Sequence, residues 1–184
     1  MRFSTIATAL ALAFSVNAAA VNKRAVTAAT TTCINDLVAV GNQLTVVMNG
    51  VNAYTASQGY LGALTVQSQE STLESKLSTA GSTSGCCVSG VVSDEDAAAV
   101  IAEVDPLTAQ IEAALQAIIN KKSVFDSVAL VTPLVKGDIN SLNSKTTTVS
   151  NCLIAATPSS YTSQAQGYVT RINAAFAAAV AAYA

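Results

Sequence analysis

Four cysteines are the residues whose type and spacing most constrain the chemistry: Cys33, the adjacent pair Cys86 and Cys87, and Cys152. An even number of cysteines suits disulfide bonding in a secreted chain. Adjacent trans residues fit disulfide geometry poorly, so a bond within the pair is not expected. A four-sulfur metal site is disfavoured because the C-x₂-C spacing is missing. We predict that Cys33 bonds to one member of the pair and Cys152 to the other, in either combination, and we predict no metal site.

Carboxylates are the second candidates for chemistry. Asp94, Glu95 and Asp96 are consecutive, and Asp105 and Glu112 follow. They could act as metal ligands or as an acid–base pair, but acids at a helix start also favour the positive end of the helix dipole, which is the interpretation we prefer. The chain contains no histidine, which excludes a Ser-His-Asp triad and a Cys-His pair. We expect no catalytic residues, no cofactor and no enzyme activity.

The composition indicates a folded chain with few charges. Of its 184 residues, 51% are hydrophobic and 11% are charged, with a net charge of −2. This hydrophobic content is enough for one core and is not typical of disorder. The low net charge argues against a nucleic-acid partner. Polar faces made of uncharged side chains would lose little hydration when they meet apolar material.

The amino-terminal segment has the pattern of a secretory signal. Arg2 is followed by an apolar stretch at 6–16 and by small residues at 18–20, and this stretch is too short to span a bilayer. The pair Lys23-Arg24 indicates a processing site; the alternative is two exposed charges in a flexible arm. The predicted division is a signal peptide at 1–18, a pro-segment at 19–24, a flexible leader at 25–32 and a helical domain at 33–184. We expect a secreted, extracellular protein, with the cell wall as a candidate location and no membrane-spanning segment.

Apolar residues recur every three or four positions along the rest of the chain, which is typical of amphipathic helices. The spacing predicts helices at about 34–54, 60–80, 94–122 and 123–152, and a last helix that starts at Thr157-Pro158. Pro106 and Pro133 predict a kink or break in the third and fourth helices. The fold class is therefore all-α: a single antiparallel bundle of about five helices, stapled by disulfides at one pole. The opposite pole is the expected opening.

The apolar interior of this bundle is the candidate binding site, although each of its residues would also suit an ordinary core. The residues selected as candidate lipid contacts are Leu44, Met48, Val51, Ile111, Leu115, Phe125, Tyr168, Ile172 and Phe176.

Several segments resemble the hydrophobic surface-binding protein A family, also called the fungal cell-wall galactomannoprotein family. They are KKSVFDSV at 121–128, AATPSSY at 155–161 and INAAFAAAVAAYA at 172–184. The resemblance implies a secreted, helical, non-enzymatic protein that binds hydrophobic surfaces or fatty acids, with a secreted esterase as a further candidate partner. The alternative is a protein-interaction module, either an esterase-recruiting adaptor or an inhibitor-like bundle.

Overall fold

The computed structural model describes residues 26–184, and this part of the chain is all-α, as predicted. The predicted segments 1–18 and 19–24, with Lys23 and Arg24, lie outside the described residues. A single 3₁₀ turn, Ala56–Gln58, separates the first two of six helices within the described range. The helices are α1 (Ala28–Ala53), α2 (Gly59–Ala80), α3 (Asp94–Asn120), α4 (Lys122–Asp126), α5 (Val131–Ala156) and α6 (Thr162–Ala182).

Helix α1 begins earlier than the sequence pattern indicated. The Thr27 side chain caps it by accepting a hydrogen bond from the Thr30 backbone N–H at 3.2 Å. The Asp96 carboxylate of α3 accepts a second bond from the Thr27 N–H at 2.8 Å. Because these two acceptors satisfy donors at the helix start, residues 28–32 are helical. The predicted flexible leader is therefore wrong for these residues.

Helix α3 continues through Pro106, so of the kink or break predicted near Asp105 the break is absent. Proline removes one backbone hydrogen bond from a helix interior. The two residues that follow it, Leu107 and Thr108, are both buried. Their packing holds the helix together where its own hydrogen bonding is weakened.

The predicted fourth helix is two helices, and the start of the last one is displaced. Leu130 adopts a left-handed conformation with φ 70° between α4 and α5. Pro133 then lies in the first turn of α5, where a missing N–H costs nothing; it does not kink a longer helix. Thr157 ends α5, and α6 starts at Thr162 after a turn closed by the Tyr161 N–H and the Pro158 carbonyl.

The five long helices close a ring in the order α1, α2, α5, α6, α3 and back to α1. Each helix presents one apolar face to the centre. Helices α1, α3 and α6 run from one pole to the other, and α2 and α5 run back. Consecutive pairs α1–α2 and α5–α6 are thus antiparallel, whereas α3 lies parallel to both of its neighbours. No helix of residues 26–184 lies along the ring axis, so the core depends on side chains meeting across the centre.

Both disulfides lie at one pole, as predicted. Cys33, in α1, bonds to Cys86, with 4.5 Å between their Cα atoms. Cys87 bonds to Cys152, in α5, with 4.7 Å between their Cα atoms. The structure thus selects one of the two combinations that the sequence left open. We call this end the disulfide pole and the other end the far pole.

Candidate functional site

Among the cavities between the helices of the described chain, four lie one after another from the disulfide pole to the far pole. They are the disulfide-end cavity, the large cavity, the central cavity and the acidic cavity. Residues shared between neighbouring cavities show that each is adjacent to the next. Leu153 lines both the disulfide-end and large cavities, Ile111 both the large and central cavities, and Val51 both the central and acidic cavities.

The large cavity has a volume of about 70 Å³ and is bounded by all five long helices. A water molecule needs roughly 10–15 Å³ by this measure, so the cavity has room for several water molecules. Hydroxyl groups of Thr, Ser and Tyr supply its polar atoms, and none of its described lining residues is charged. The lining comprises Leu37, Val40, Leu77, Val100, Ile101, Val104, Leu107, Thr108, Ile111, Thr146, Val149, Ser150, Leu153, Ile154, Thr157, Ala165, Tyr168, Val169 and Ile172.

The central cavity measures about 40 Å³, and its only polar lining residue within the described chain is Thr146. It is separated from the large cavity by side chains that line both. They are Val40, Leu77, Ile111 and Thr146. These residues form a narrow point made of small or flexible side chains, which we call the waist. A hydrocarbon chain could cross the waist only if these side chains shift.

The two outer cavities, each about 40 Å³, differ in chemistry. The disulfide-end cavity lies against the Cys33–Cys86 bond, and half of its lining residues are Ala or Val. The acidic cavity brings Gln67 and Glu70 of α2 together with Asp138 of α5, in otherwise apolar surroundings. Burial raises the pKa of Glu70 to about 8. Burial and the nearby Glu74 raise the pKa of Asp138 to about 6.

The far pole is closed by aromatic side chains. Tyr54, Phe125 and Tyr183 are each at most 2% exposed. The Tyr183 hydroxyl donates a hydrogen bond to the Ile118 carbonyl at 2.9 Å, and Lys121 Nζ donates one to the Tyr54 carbonyl at 3.0 Å. This pole is closed in the structure, so the expected opening there would require these contacts to break and stays a prediction.

The loosest wall of the interior is instead the first half of α6. Its buried residues begin only at Ile172, while Tyr168 and Val169 line the large cavity and remain partly exposed. Val104 of α3 and Ile154 of α5 are likewise partly exposed at this cavity. Across this wall, Arg171 forms two hydrogen bonds with the exposed Glu112 carboxylate. Because the side chains along this wall are only partly buried, it gives more access than the closed far pole, and the bidentate Arg171–Glu112 pair would have to open for a ligand to enter.

All nine residues selected from the sequence line one of these cavities. Tyr168 and Ile172 line the large cavity, Phe125 lines the acidic cavity, and Ile111 lies at the waist. The central cavity is lined by the remaining five: Leu44, Met48, Val51, Leu115 and Phe176. Their role as ligand contacts stays a prediction.

Sequence reasoning missed most of the large cavity and the acidic groups. Val100, Val104 and Leu107 were on the apolar stripe of the third helix but were not selected. Glu70 lies in the polar stretch 67–71 that interrupts the apolar stripe of α2. That interruption was the available signal, since a polar group at a core-facing position requires a partner or a function.

The clustered acids of α3 have structural partners. Ser93 caps the helix by accepting a hydrogen bond from the Asp96 N–H. Burial pushes the pKa of Asp96 upward, but hydrogen bonds from Thr27, Ser93 and Thr30 hold it below its usual value. Asp94 accepts a bond from the Ser160 hydroxyl at 2.7 Å. Within residues 26–184, no group of three or more acids or cysteines is placed to hold a metal ion.

No helix in the described part of the chain is both long enough and apolar enough to cross a membrane. The two disulfides are of the kind that persists in oxidising environments such as the extracellular space.

Comparisons with known proteins agree with this architecture. The family model described as hydrophobic surface binding protein A matches residues 30–155. A crystal structure of Afmp4p in complex with palmitic acid is 28% identical, with a TM-score of 0.78, and the match covers 84% of this chain and 99% of that one. A comparison with curated protein sequences found no match.

Two further solved structures share the fold. Ligand-binding domain 2 of Penicillium marneffei MP1, complexed with multiple arachidonic acids, is 18% identical, with a TM-score of 0.71, over 85% of this chain and 94% of that one. Ligand-binding domain 1 of the same protein, complexed with arachidonic acids, is 18% identical, with a TM-score of 0.63. The match covers 82% of this chain and 95% of that one.

Proposed function

Because this chain belongs to the hydrophobic surface binding protein A family, we propose that it is a secreted protein that binds a fatty acid in the apolar interior of its helical ring. The observation that carries the proposal is the series of adjacent, mostly apolar cavities between the helices. Family and structural neighbours are ligand-binding proteins rather than enzymes. The palmitic acid complex of the 28% identical neighbour supports the same ligand class here.

The chain of the fatty acid would occupy the large cavity and extend through the waist into the central cavity. Its carboxylate would stay at the partly exposed wall formed by α3, α5 and α6, near the hydroxyls of Ser150, Thr157 and Tyr168. This orientation keeps the charged group near water, since an unpaired charge in the interior would be costly. It also keeps the carboxylate away from Glu70 and Asp138 at the other end.

A chain-length series tests this proposal. Burial of each methylene contributes about 0.8 kcal/mol, so affinity should rise about fourfold per added carbon until the interior is filled. Calorimetric titration with saturated fatty acids of 8 to 18 carbons measures this slope. Affinities that do not change with chain length would refute binding inside the ring. So would a saturable calorimetric signal without any one-to-one complex in native mass spectrometry.

Adsorption to hydrophobic surfaces is a second candidate function, favoured by exposed apolar side chains at the far pole. Leu61 at the start of α2 is 78% exposed, and Leu130 between α4 and α5 is 70% exposed. Leu130 also adopts a left-handed backbone conformation that a leucine rarely takes. These side chains would contact wax, plastic or a lipid surface without unfolding the ring.

The matched control for this surface is Val91, which is 66% exposed but lies near the disulfide pole. The double variant Leu61→Ser with Leu130→Ser should reduce adsorption to polystyrene beads several-fold, whereas Val91→Ser should not. Equal losses in both variants would contradict a far-pole surface. Protein adsorbed in this way is also the form in which to test recruitment of a secreted esterase and retention in the cell wall.

A further inference from the structure

Glu70 of α2 is a buried carboxyl group with few hydrogen-bond partners. It is only 5% exposed. Apart from the neighbouring Glu74 carboxyl, which shares a side-chain hydrogen bond with Glu70, its Oε1 atom has no hydrogen-bond partner in residues 26–184. The side chain lines the acidic cavity. A buried polar atom left unpaired destabilises the folded protein, so this position is a candidate for a role other than stability.

The groups around Glu70 are predominantly acidic. Glu74 lies on the same helix, Asp138 comes from α5, and Lys145 of α5 is the one cation whose charge acts on Glu70 among the described residues. Lys145 is engaged with the Ser78 hydroxyl at 3.1 Å. The neighbouring face of α1 contributes only Val47 and Val51 to the cavity. A ligand carboxylate would be repelled here, whereas a cationic hydrogen-bond donor would be attracted.

The acidic cavity also connects with the space proposed for a lipid chain. Val47, Val51, Ile118 and Leu142 line both the acidic and the central cavity. A head group beside Glu70 could therefore have its hydrocarbon tail in the central cavity. This arrangement is the reverse of the fatty-acid orientation, in which the charged end lies beside the large cavity.

We propose that the acidic cavity is a binding subsite for the ammonium head group of a single-chain long-chain amine, with Glu70 and Asp138 as its acceptors. The inference rests on the proposed function, because it requires that the interior accepts a hydrocarbon chain. An ammonium group carries three donors, which would satisfy the Glu70 Oε1 atom and neutralise the acidic surroundings. A fatty acid and a long-chain amine would then enter the same interior with opposite orientations.

Binding of dodecylamine and dodecanoate at pH 7, measured by calorimetry below their aggregation concentrations, tests the proposal. Charge-assisted hydrogen bonds contribute about 1.5–3 kcal/mol. The Glu70→Gln variant should therefore lose about tenfold or more in dodecylamine affinity, and its dodecanoate affinity should stay within about twofold. Glu95→Gln is the matched control, because it makes the same change at an exposed acid of α3 and should affect neither ligand.

Proton release provides a readout that a purely structural glutamate would not give. Since burial raises the pKa of Glu70 to about 8, the empty site is largely protonated at pH 7, and the arriving ammonium should displace about one proton. Calorimetric titrations in buffers of different ionisation enthalpy measure the number of protons released on binding. This proton release should be absent in Glu70→Gln.

The outcomes separate the two proposals. Dodecylamine that does not bind, or that binds equally well to Glu70→Gln, overturns the amine subsite. If dodecanoate alone binds, the fatty-acid function stands without the subsite. If dodecylamine alone binds and depends on Glu70, the subsite stands and the fatty-acid function fails.

Discussion

Tyr54, which follows α1, stacks on Phe125 of α4 with 5.2 Å between the ring centroids and 27° between the ring planes. Both rings are almost completely buried. The Tyr54 hydroxyl donates a hydrogen bond to the Gly59 carbonyl at 3.1 Å, which fixes the turn that leads into α2. This stack therefore joins the α1–α2 turn to the short helix α4 and closes the far pole of the interior.

Removal of the Phe125 ring should destabilise the protein strongly. Truncation of a buried phenylalanine to alanine typically costs about 3–5 kcal/mol. We expect Phe125→Ala to lower the free energy of unfolding in urea by about that amount. Leu130→Ala, at a neighbouring exposed side chain, should change it by less than about 1 kcal/mol. Similar small effects in both variants would show that the stack does not close the pole.

The two disulfides should differ in their sensitivity to reduction. Cys33 and Cys86 are buried, whereas Cys87 and Cys152 are only partly buried. Because exchange requires access to a sulfur atom, limited dithiothreitol should open Cys87–Cys152 first. Mass spectrometry after alkylation of the released thiols identifies the bond. Labelling of Cys33 and Cys86 before the other pair would contradict this order.

Stability should fall as the pH rises from about 5 to 8. The folded-state pKa of Glu70 is raised to about 8 by burial and by acidic neighbours. In this range the folded state holds a proton that the unfolded state has released, so deprotonation favours unfolding. At roughly 1.4 kcal/mol per pKa unit, the raised pKa of Glu70 corresponds to a loss of a few kcal/mol in the free energy of unfolding.

The variant Glu70→Gln should remove most of this slope, as measured by thermal unfolding between pH 5 and 8. Glu95→Gln should keep it. A slope that survives in Glu70→Gln would assign the pH dependence to another group.

The contact between Asp96 and Thr27 should contribute stability that is lost in acid. Asp96→Ala removes the acceptor for the Thr27 N–H and should cost about 2 kcal/mol at neutral pH. The folded-state pKa of Asp96 is lowered, so its contribution is present above the unfolded pKa of about 3.9 and disappears as the pH falls through the folded value. The difference between wild type and Asp96→Ala in urea unfolding should therefore shrink as the pH falls below the unfolded pKa of an aspartate.

The parts of the fold set by local pattern could be predicted from the sequence. The all-α class follows from apolar spacing, and the start of α3 follows from the consecutive acids at 94–96. The disulfide partners were narrowed to two combinations because the adjacent Cys86 and Cys87 fit a bond with each other poorly.

The errors came from contacts distant in sequence. Thr27 caps α1 locally, but the contact that joins this helix start to α3 comes from Asp96, which is 69 residues from Thr27 and is not visible in a local pattern. Pro133 lies in the first turn of α5 rather than inside a longer helix, because the chain breaks at Leu130 in a left-handed conformation that its side chain does not indicate. The waist at Ile111 and Thr146 depends on how five helices close a ring, and periodicity along one helix carries no information about that closure.

The most direct test of binding inside the ring is to fill the waist. Ile111→Trp places a large side chain where the large and central cavities meet, and Val46→Trp makes a similar enlargement at a residue of α1 that is 43% exposed. The tryptophan in Ile111→Trp should keep two or more methylenes of palmitate out of the interior, at about 0.8 kcal/mol each. Palmitate affinity should therefore fall at least tenfold in Ile111→Trp, and it should be unchanged in Val46→Trp. Urea unfolding of both variants confirms that each remains folded. Unchanged palmitate affinity in a folded Ile111→Trp would contradict a ligand chain that crosses the waist.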